Sequence, residues 1–183
     1  EFKKYLKNFI KFSLGKKNNQ FRYLEKNLTN TFKRKKKLSS FINDNVNLSP
    51  FLHSLLTSKK LVLLVSKLFN EKKEKVIINN QRFRVQIPGN DKIANLPWHQ
   101  DSHYNIIKNT KSIVAWISIN NINKKMGPII FKKASHKLGP QKKIKIQKKN
   151  GGSAYTVNVQ NKTLKKLKNE QFETYAGDLI LID

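Results

Sequence analysis

The sequence changes its hydrophobic period once, near residue 75, and that change limits what the chain can become. Before it, apolar residues recur at steps of three and four. Tyr5, Phe9 and Phe12, then Phe21, Leu24, Leu28 and Phe32, carry the spacing of amphipathic helices, with lysines on the solvated face. Ser49-Pro50 reads as an N-cap followed by proline at the first helical position, and Leu52, Leu55 and Leu56 give that short helix a face. Thr57 or Ser58 opens a further helix carrying Leu61, Leu64, Val65 and Leu68, ending near Asn70. His53 is expected as a surface or packing residue of the short helix.

From Lys75 the period falls to two and β-branched residues take over. Val76-Ile77-Ile78 predicts a short strand. Residues 81–87 alternate, with Phe83, Val85 and Ile87 on one face and Arg82, Arg84 and Gln86 on the other, before the turn signal Pro88-Gly89-Asn90-Asp91. Residues 112–119 form the most apolar predicted strand, and Gly127-Pro128-Ile129-Ile130-Phe131 follows the turn at 120–125. Residues 138–175 read as a lysine-rich insertion. In it Lys143-Ile144-Lys145-Ile146 pairs across Asn150-Gly151-Gly152 with Tyr155, Val157 and Val159, and Leu164 and Leu167 sit on a helical turn. Helices first and short strands after predict an α+β chain, with a helical layer at 1–74 and an antiparallel sandwich or barrel at 75–183.

Within the second part lies Leu96-Pro97-Trp98-His99-Gln100-Asp101-Ser102-His103-Tyr104, which holds two of the four histidines. On an extended strand, His99 and Asp101 point to one face, roughly 6.5–7 Å apart along the backbone. Two short side chains at that spacing can converge on one ion. An imidazole nitrogen and a carboxylate oxygen are two of the three ligands of the facial triad that holds non-haem Fe(II) and leaves positions open. A polar strand end has the same spacing, so the motif alone does not decide between them.

The formal charge of +27, from 38 basic and 11 acidic residues, raises nucleic acid or an anionic surface as a partner. Two observations argue against nucleic acid as the main function. Only Arg22, Arg34, Arg82 and Arg84 are arginine, the usual reader of phosphates and base edges. The lysines also come with heavy asparagine, isoleucine and phenylalanine use along the whole chain, as a compositional bias would produce. The absence of cysteine excludes disulfides and thiolate metal sites and fits a reducing, cytoplasmic location. The longest purely apolar runs, residues 61–65 and 113–117, are far short of a membrane span.

Taken in order, Trp98-His99-Gln100-Asp101-x-His103-Tyr104, the Ala115-Trp116 strand, Met126-Gly127-Pro128-Ile129-Ile130, Ser135-His136-Lys137 and Gly177-Asp178-Leu179-Ile180 resemble the phytanoyl-CoA dioxygenase family of Fe(II)/2-oxoglutarate-dependent oxygenases. The resemblance covers about residues 75–183. It implies a double-stranded β-helix, a cupin-like jelly-roll, with the N-terminal helices packed on it. His99 and Asp101 match the first two iron ligands. Trp116 and Gln86 match contacts to 2-oxoglutarate, and His103 and Tyr104 would line the substrate pocket. His136 matches a loop histidine that is not a ligand.

The implied activity is hydroxylation of a small-molecule substrate with succinate and CO₂ as co-products. The lysine excess would suit an anionic substrate such as a CoA ester, although compositional bias explains those lysines equally well. In the family a third ligand, a histidine, and an anchor for the far carboxylate of 2-oxoglutarate follow the Gly-Asp strand. None of the four histidines stands there, and the sequence stops at Asp183. The expectation is therefore a C-terminally truncated jelly-roll with two of three protein ligands and little activity of its own. Two other classes remain in view: a non-catalytic jelly-roll binding module that keeps the motif by descent, and a basic nucleic-acid-binding protein.

Overall fold

The computed structural model describes residues 1–13, 36–79, 81–85, 97–104, 111–147, 153–157 and 162–182. They divide into two compact units, Glu1–Val85 and Gln86–Asp183. Helices fill the first and antiparallel strand pairs the second, so the chain is α+β.

The first unit holds helices α1 (Phe2–Ser13), α2 (Lys36–Asn47), α3 (Pro50–Leu56) and α4 (Lys59–Phe69) and a 3₁₀ turn at Lys73–Lys75. Its core is aliphatic. Leu6 and Ile10 of α1, Ile42 and Val46 of α2, Leu52 of α3 and Val65 of α4 are buried, together with Phe83. The buried stripe of α1 thus runs through Leu6 and Ile10, one helical turn apart, and not through Tyr5, Phe9 and Phe12. Compact aliphatic side chains fit between closely packed helices, while the broad rings lie along the flank. Tyr5 stacks on Phe51 at 4.6 Å and Phe9 on Phe41 at 6.2 Å, and Phe12 is 82% exposed. Phe21, Leu24, Leu28 and Phe32 lie outside the described residues.

Both predicted helix starts are found. The Ser49 hydroxyl accepts the Leu52 amide at 3.1 Å, with Pro50 first in the helix, and α4 follows Ser58 and ends on Asn70 in the left-handed region. The predicted strand at 76–78 is not, nor is the one at 81–87 over its described residues 81–85; residues 86 and 87 lie outside the described residues. Val76 leaves the 3₁₀ turn extended but unpaired in any sheet, and Ile77 is 83% exposed. In the next segment the alternation of burial holds, with Phe83 buried and Arg82 and Arg84 exposed. The segment is, however, tied to the end of α2 rather than to a neighbouring strand. The Phe83 amide donates to the Asn47 side-chain oxygen, and Gln81 Nε2 donates to the Asn47 carbonyl at 2.8 Å.

Among its described residues the second unit has three antiparallel pairs: β1 (Val114–Ile117) with β6 (Leu179–Ile182), β2 (Ile130–Lys132) with β5 (Asn169–Gln171), and β3 (Lys143–Gln147) with β4 (Ser153–Val157). The pairing is nested. Trp116 faces Ile180, an isolated bridge joins Ile122 to Thr174, Phe131 faces Glu170, and the β3–β4 hairpin closes the far end. Helix α5 (Lys162–Lys166) buries Leu164 just before β5. The expected hairpin and helical turn are therefore present, and β5, within the lysine-rich span, belongs to the nested pairing. At the centre of the ribbon Ser118 and Thr174, both buried, share a hydroxyl–hydroxyl bond of 2.9 Å. At its outer edge Lys133 Nζ meets Glu170 Oε1 at 2.8 Å, and that carboxylate holds the ammonium pKa above the ordinary lysine value. No single described helix is long and apolar enough to cross a membrane, although the bent pair Ser40–Asn47 and Pro50–Phe69 passes on length and composition.

Candidate metal centre

Pro97, Trp98, His99 and Gln100 run without regular structure into a 3₁₀ turn at Asp101–Tyr104. The His-x-Asp pair thus sits where a loop tightens into a turn, not on the expected strand. The convergence that the spacing implied is nevertheless present: His99 Nε2 lies 3.5 Å from Asp101 Oδ1. A turn curls residues i and i+2 towards each other, which a flat strand does not.

The imidazole is oriented from behind. His99 Nδ1 lies 2.6 Å from the Pro97 carbonyl oxygen. A carbonyl can only accept, so Nδ1 carries the proton and donates. Nε2 then faces a carboxylate oxygen across 3.5 Å, an approach made favourable by a proton on Nε2 or by a cation between the two. A hydrogen bond from the distal ring nitrogen to a carbonyl is how metal-binding histidines are commonly fixed. The His99 side chain is 21% exposed and that of Asp101 46%, so the imidazole is mostly covered and the carboxylate is nearly half open to solvent. One imidazole and one carboxylate are a borderline-to-hard donor pair suited to Fe(II) or Mn(II). Among the described residues no group of three potential ligands is found.

The residues flanking the pair are tied to the rest of the unit. Trp98 carries the Lys132 ammonium 5.3 Å above its ring, and the same Nζ donates to the Leu167 carbonyl at 3.1 Å. Gln100 reaches the loop after the Ser135–Leu138 turn. Its Nε2 donates to the Gly139 carbonyl at 3.1 Å, and its Oε1 accepts the Gln141 amide at 2.7 Å. Sequence reasoning assigned no role to Gln100. The signal available was its place between two residues that face one way, which sends its own side chain the other way.

The remaining candidates are distributed as follows. Trp116 stands half-buried on β1 opposite Ile180. Among the described residues no hydrogen bond or ring contact joins it to His99 or Asp101. The backbones of His103 and Tyr104 complete the 3₁₀ turn begun by Asp101. Gln86 lies outside the described residues. His136 is exposed on its own turn, where its carbonyl accepts the Gly139 amide at 3.1 Å. The Gly177-Asp178 pair builds a turn: Gly177 has φ +99°, its amide donates to the Ser118 carbonyl at 2.7 Å, and Asp178 Oδ2 accepts the Tyr175 amide at 2.7 Å.

Residues 13–183 match the family model described as phytanoyl-CoA dioxygenase (PhyH). No curated protein and no solved structure matches the chain.

Proposed function

Because the chain belongs to the phytanoyl-CoA dioxygenase family, whose members are generally Fe(II)/2-oxoglutarate-dependent oxygenases, we propose that it hydroxylates a small-molecule substrate at a site built on His99 and Asp101. The observation that carries this reading is the 3.5 Å approach of His99 Nε2 to Asp101 Oδ1 with Nδ1 already committed to the Pro97 carbonyl. In it, His99 binds as a neutral imidazole through Nε2, and Asp101 binds as a carboxylate whose charge offsets part of that of the metal. A third protein donor comes from outside the described residues. Fe(II) with 2-oxoglutarate, when bound, would supply the chemistry that spends O₂ as the oxidant, one oxygen atom going to succinate as CO₂ is lost and the other to the hydroxylated product.

The chain's own residues bind and orient. Trp116, on the apolar β1 strand, provides a flat wall for the cosubstrate, and Gln86 provides a polar contact to it. His103 and Tyr104, one turn beyond Asp101, border the substrate side. Nested antiparallel pairing of β1 with β6 and β2 with β5 supports a cupin-like jelly-roll as the scaffold, since a jelly-roll is a long antiparallel ribbon rolled on itself.

The test uses the full-length protein with Fe(II) and 2-oxoglutarate, following succinate formation. Turnover should be abolished by a chelator. It should fall more than about 100-fold in His99→Ala and in Asp101→Ala, beyond the 10–100-fold typical of a lost outer partner. Turnover that survives both substitutions would remove His99 and Asp101 from the site.

A further inference from the structure

Gln100 lies between the two candidate ligands, and its side chain is tied at both ends. A primary amide has one carbonyl and one NH₂, and here both are matched to backbone groups two residues apart: Nε2 to the Gly139 carbonyl at 3.1 Å and Oε1 to the Gln141 amide at 2.7 Å. The side chain thus imitates one link of a strand ladder. Reversing the amide would set donor against donor and acceptor against acceptor, so only this orientation satisfies both ends.

The segment that Gln100 grips is itself fixed. The Gly139 amide donates to the His136 carbonyl at 3.1 Å. Gln141 Nε2 donates to the Leu138 carbonyl at 2.9 Å and more weakly to that of Gly139 at 3.3 Å. Gly139 adopts φ 64°, ψ −168°, a region essentially restricted to glycine. The Ser135-His136-Lys137 motif, which the metal pair leaves without a task, is the turn that sets this platform.

The pair needs such support. It lies outside any strand, at the start of a single 3₁₀ turn, with Asp101 nearly half exposed. A loop alone does not hold two ligands to the tolerance that a metal site requires.

We propose that Gln100 is a positioning residue: its two-ended clamp on Gly139 and Gln141 transmits the rigidity of the His136 turn to His99 and Asp101 and thereby sets the affinity of the site for its metal. This rests on the reading of His99 and Asp101 as ligands. The clamp predicts coupling between residues 39 positions apart, Gln100 and Gly139. An added Cβ at Gly139 would meet nothing within 4 Å, so Gly139→Ala acts through the backbone alone and displaces the carbonyl that Gln100 holds.

The experiment titrates full-length protein with Mn(II), a probe that needs no turnover, and reads free Mn(II) by electron paramagnetic resonance. Thermal unfolding of the metal-free protein is recorded alongside. Gln100→Met keeps the side chain's volume and removes both hydrogen bonds. It should weaken Mn(II) binding about 10–100-fold, the range for a lost outer-shell partner, while the unfolding midpoint stays close to that of the parent. Gly139→Ala should weaken binding similarly. The double variant should be no weaker than the more affected single one, because both break one clamp. Unchanged affinity in Gln100→Met, effects that multiply in the double variant, or affinity that falls only with the folded fraction would each overturn the clamp. His99→Ala separates the two levels. If it abolishes Mn(II) binding while Gln100→Met does not weaken it, the ligand reading stands and the clamp fails. If His99→Ala leaves binding intact, the ligand reading itself fails.

Discussion

A single backbone angle shows what one residue contributes to this chain. Gly177 has φ +99° at the turn into β6, and no atom lies within 4 Å of where a Cβ would stand. Gly177→Ala therefore costs conformational strain without a clash, about 1–3 kcal/mol. A shift of the denaturant midpoint without a change in slope would register it. Asp178→Ala removes the acceptor of the Tyr175 amide on an exposed turn, and about 1 kcal/mol is expected by the same measurement. The pair was legible in the sequence as a motif, and its content in the structure is a turn that aligns β6 with β1. The spacing of His99 and Asp101 allowed a convergence without deciding it, and a turn and not a strand produces the approach. The position of Gln100 between His99 and Asp101 showed only that its side chain points away from theirs; its partners lie 39 and 41 residues away, and a local period carries no information about them.

Elements divide along the same line between local and distant causes. Helix α3 is specified by its own residues: Ser49 is buried with its hydroxyl on the Leu52 amide, and Pro50 occupies the first turn. Ser49→Ala leaves that amide unsatisfied and should cost about 0.5–2 kcal/mol, read as a lower unfolding midpoint. Ser49→Asp should recover most of the loss. The segments at 76–78 and 81–85 had strand composition but found Asn47 or solvent where a strand needs a neighbour. Alternation reports which side of a segment is buried and says nothing of what its backbone will bind. The β2–β5 pair adds a test through Lys133 and Glu170. Because Glu170 raises the Lys133 pKa, the pair's contribution is complete below the ordinary lysine value and disappears as pH rises through the raised one. Glu170→Gln should therefore lower the unfolding midpoint slightly at neutral pH and not at all once Lys133 is neutral. The effect is small because the ammonium is exposed to solvent.

At the scale of the whole molecule the dominant quantity is the charge of +27. Thirty-eight basic side chains against eleven acidic ones repel one another at low salt, and the compact state suffers more than the unfolded one because it brings them closer. The Debye length falls from about 30 Å at 0.01 M salt to about 8 Å at 0.15 M. The unfolding midpoint should therefore rise with sodium chloride over that range and then level off. The same charge will draw the protein onto any polyanion at low salt, so binding to DNA there does not identify a function. The informative quantity is what survives. Attraction by a diffuse lysine excess loses several powers of ten in affinity between about 50 and 200 mM salt and is indifferent to sequence. With four arginines in the chain, no sequence preference is expected at physiological salt. A fluorescent duplex titrated at several salt concentrations, with and without a chelator, tests this: binding should vanish with salt and ignore the chelator, whereas 2-oxoglutarate turnover by the full-length protein should do the reverse. Tight, sequence-selective binding that persisted at physiological salt would instead make the charge itself the functional surface, and the metal pair would no longer account for the chain's activity.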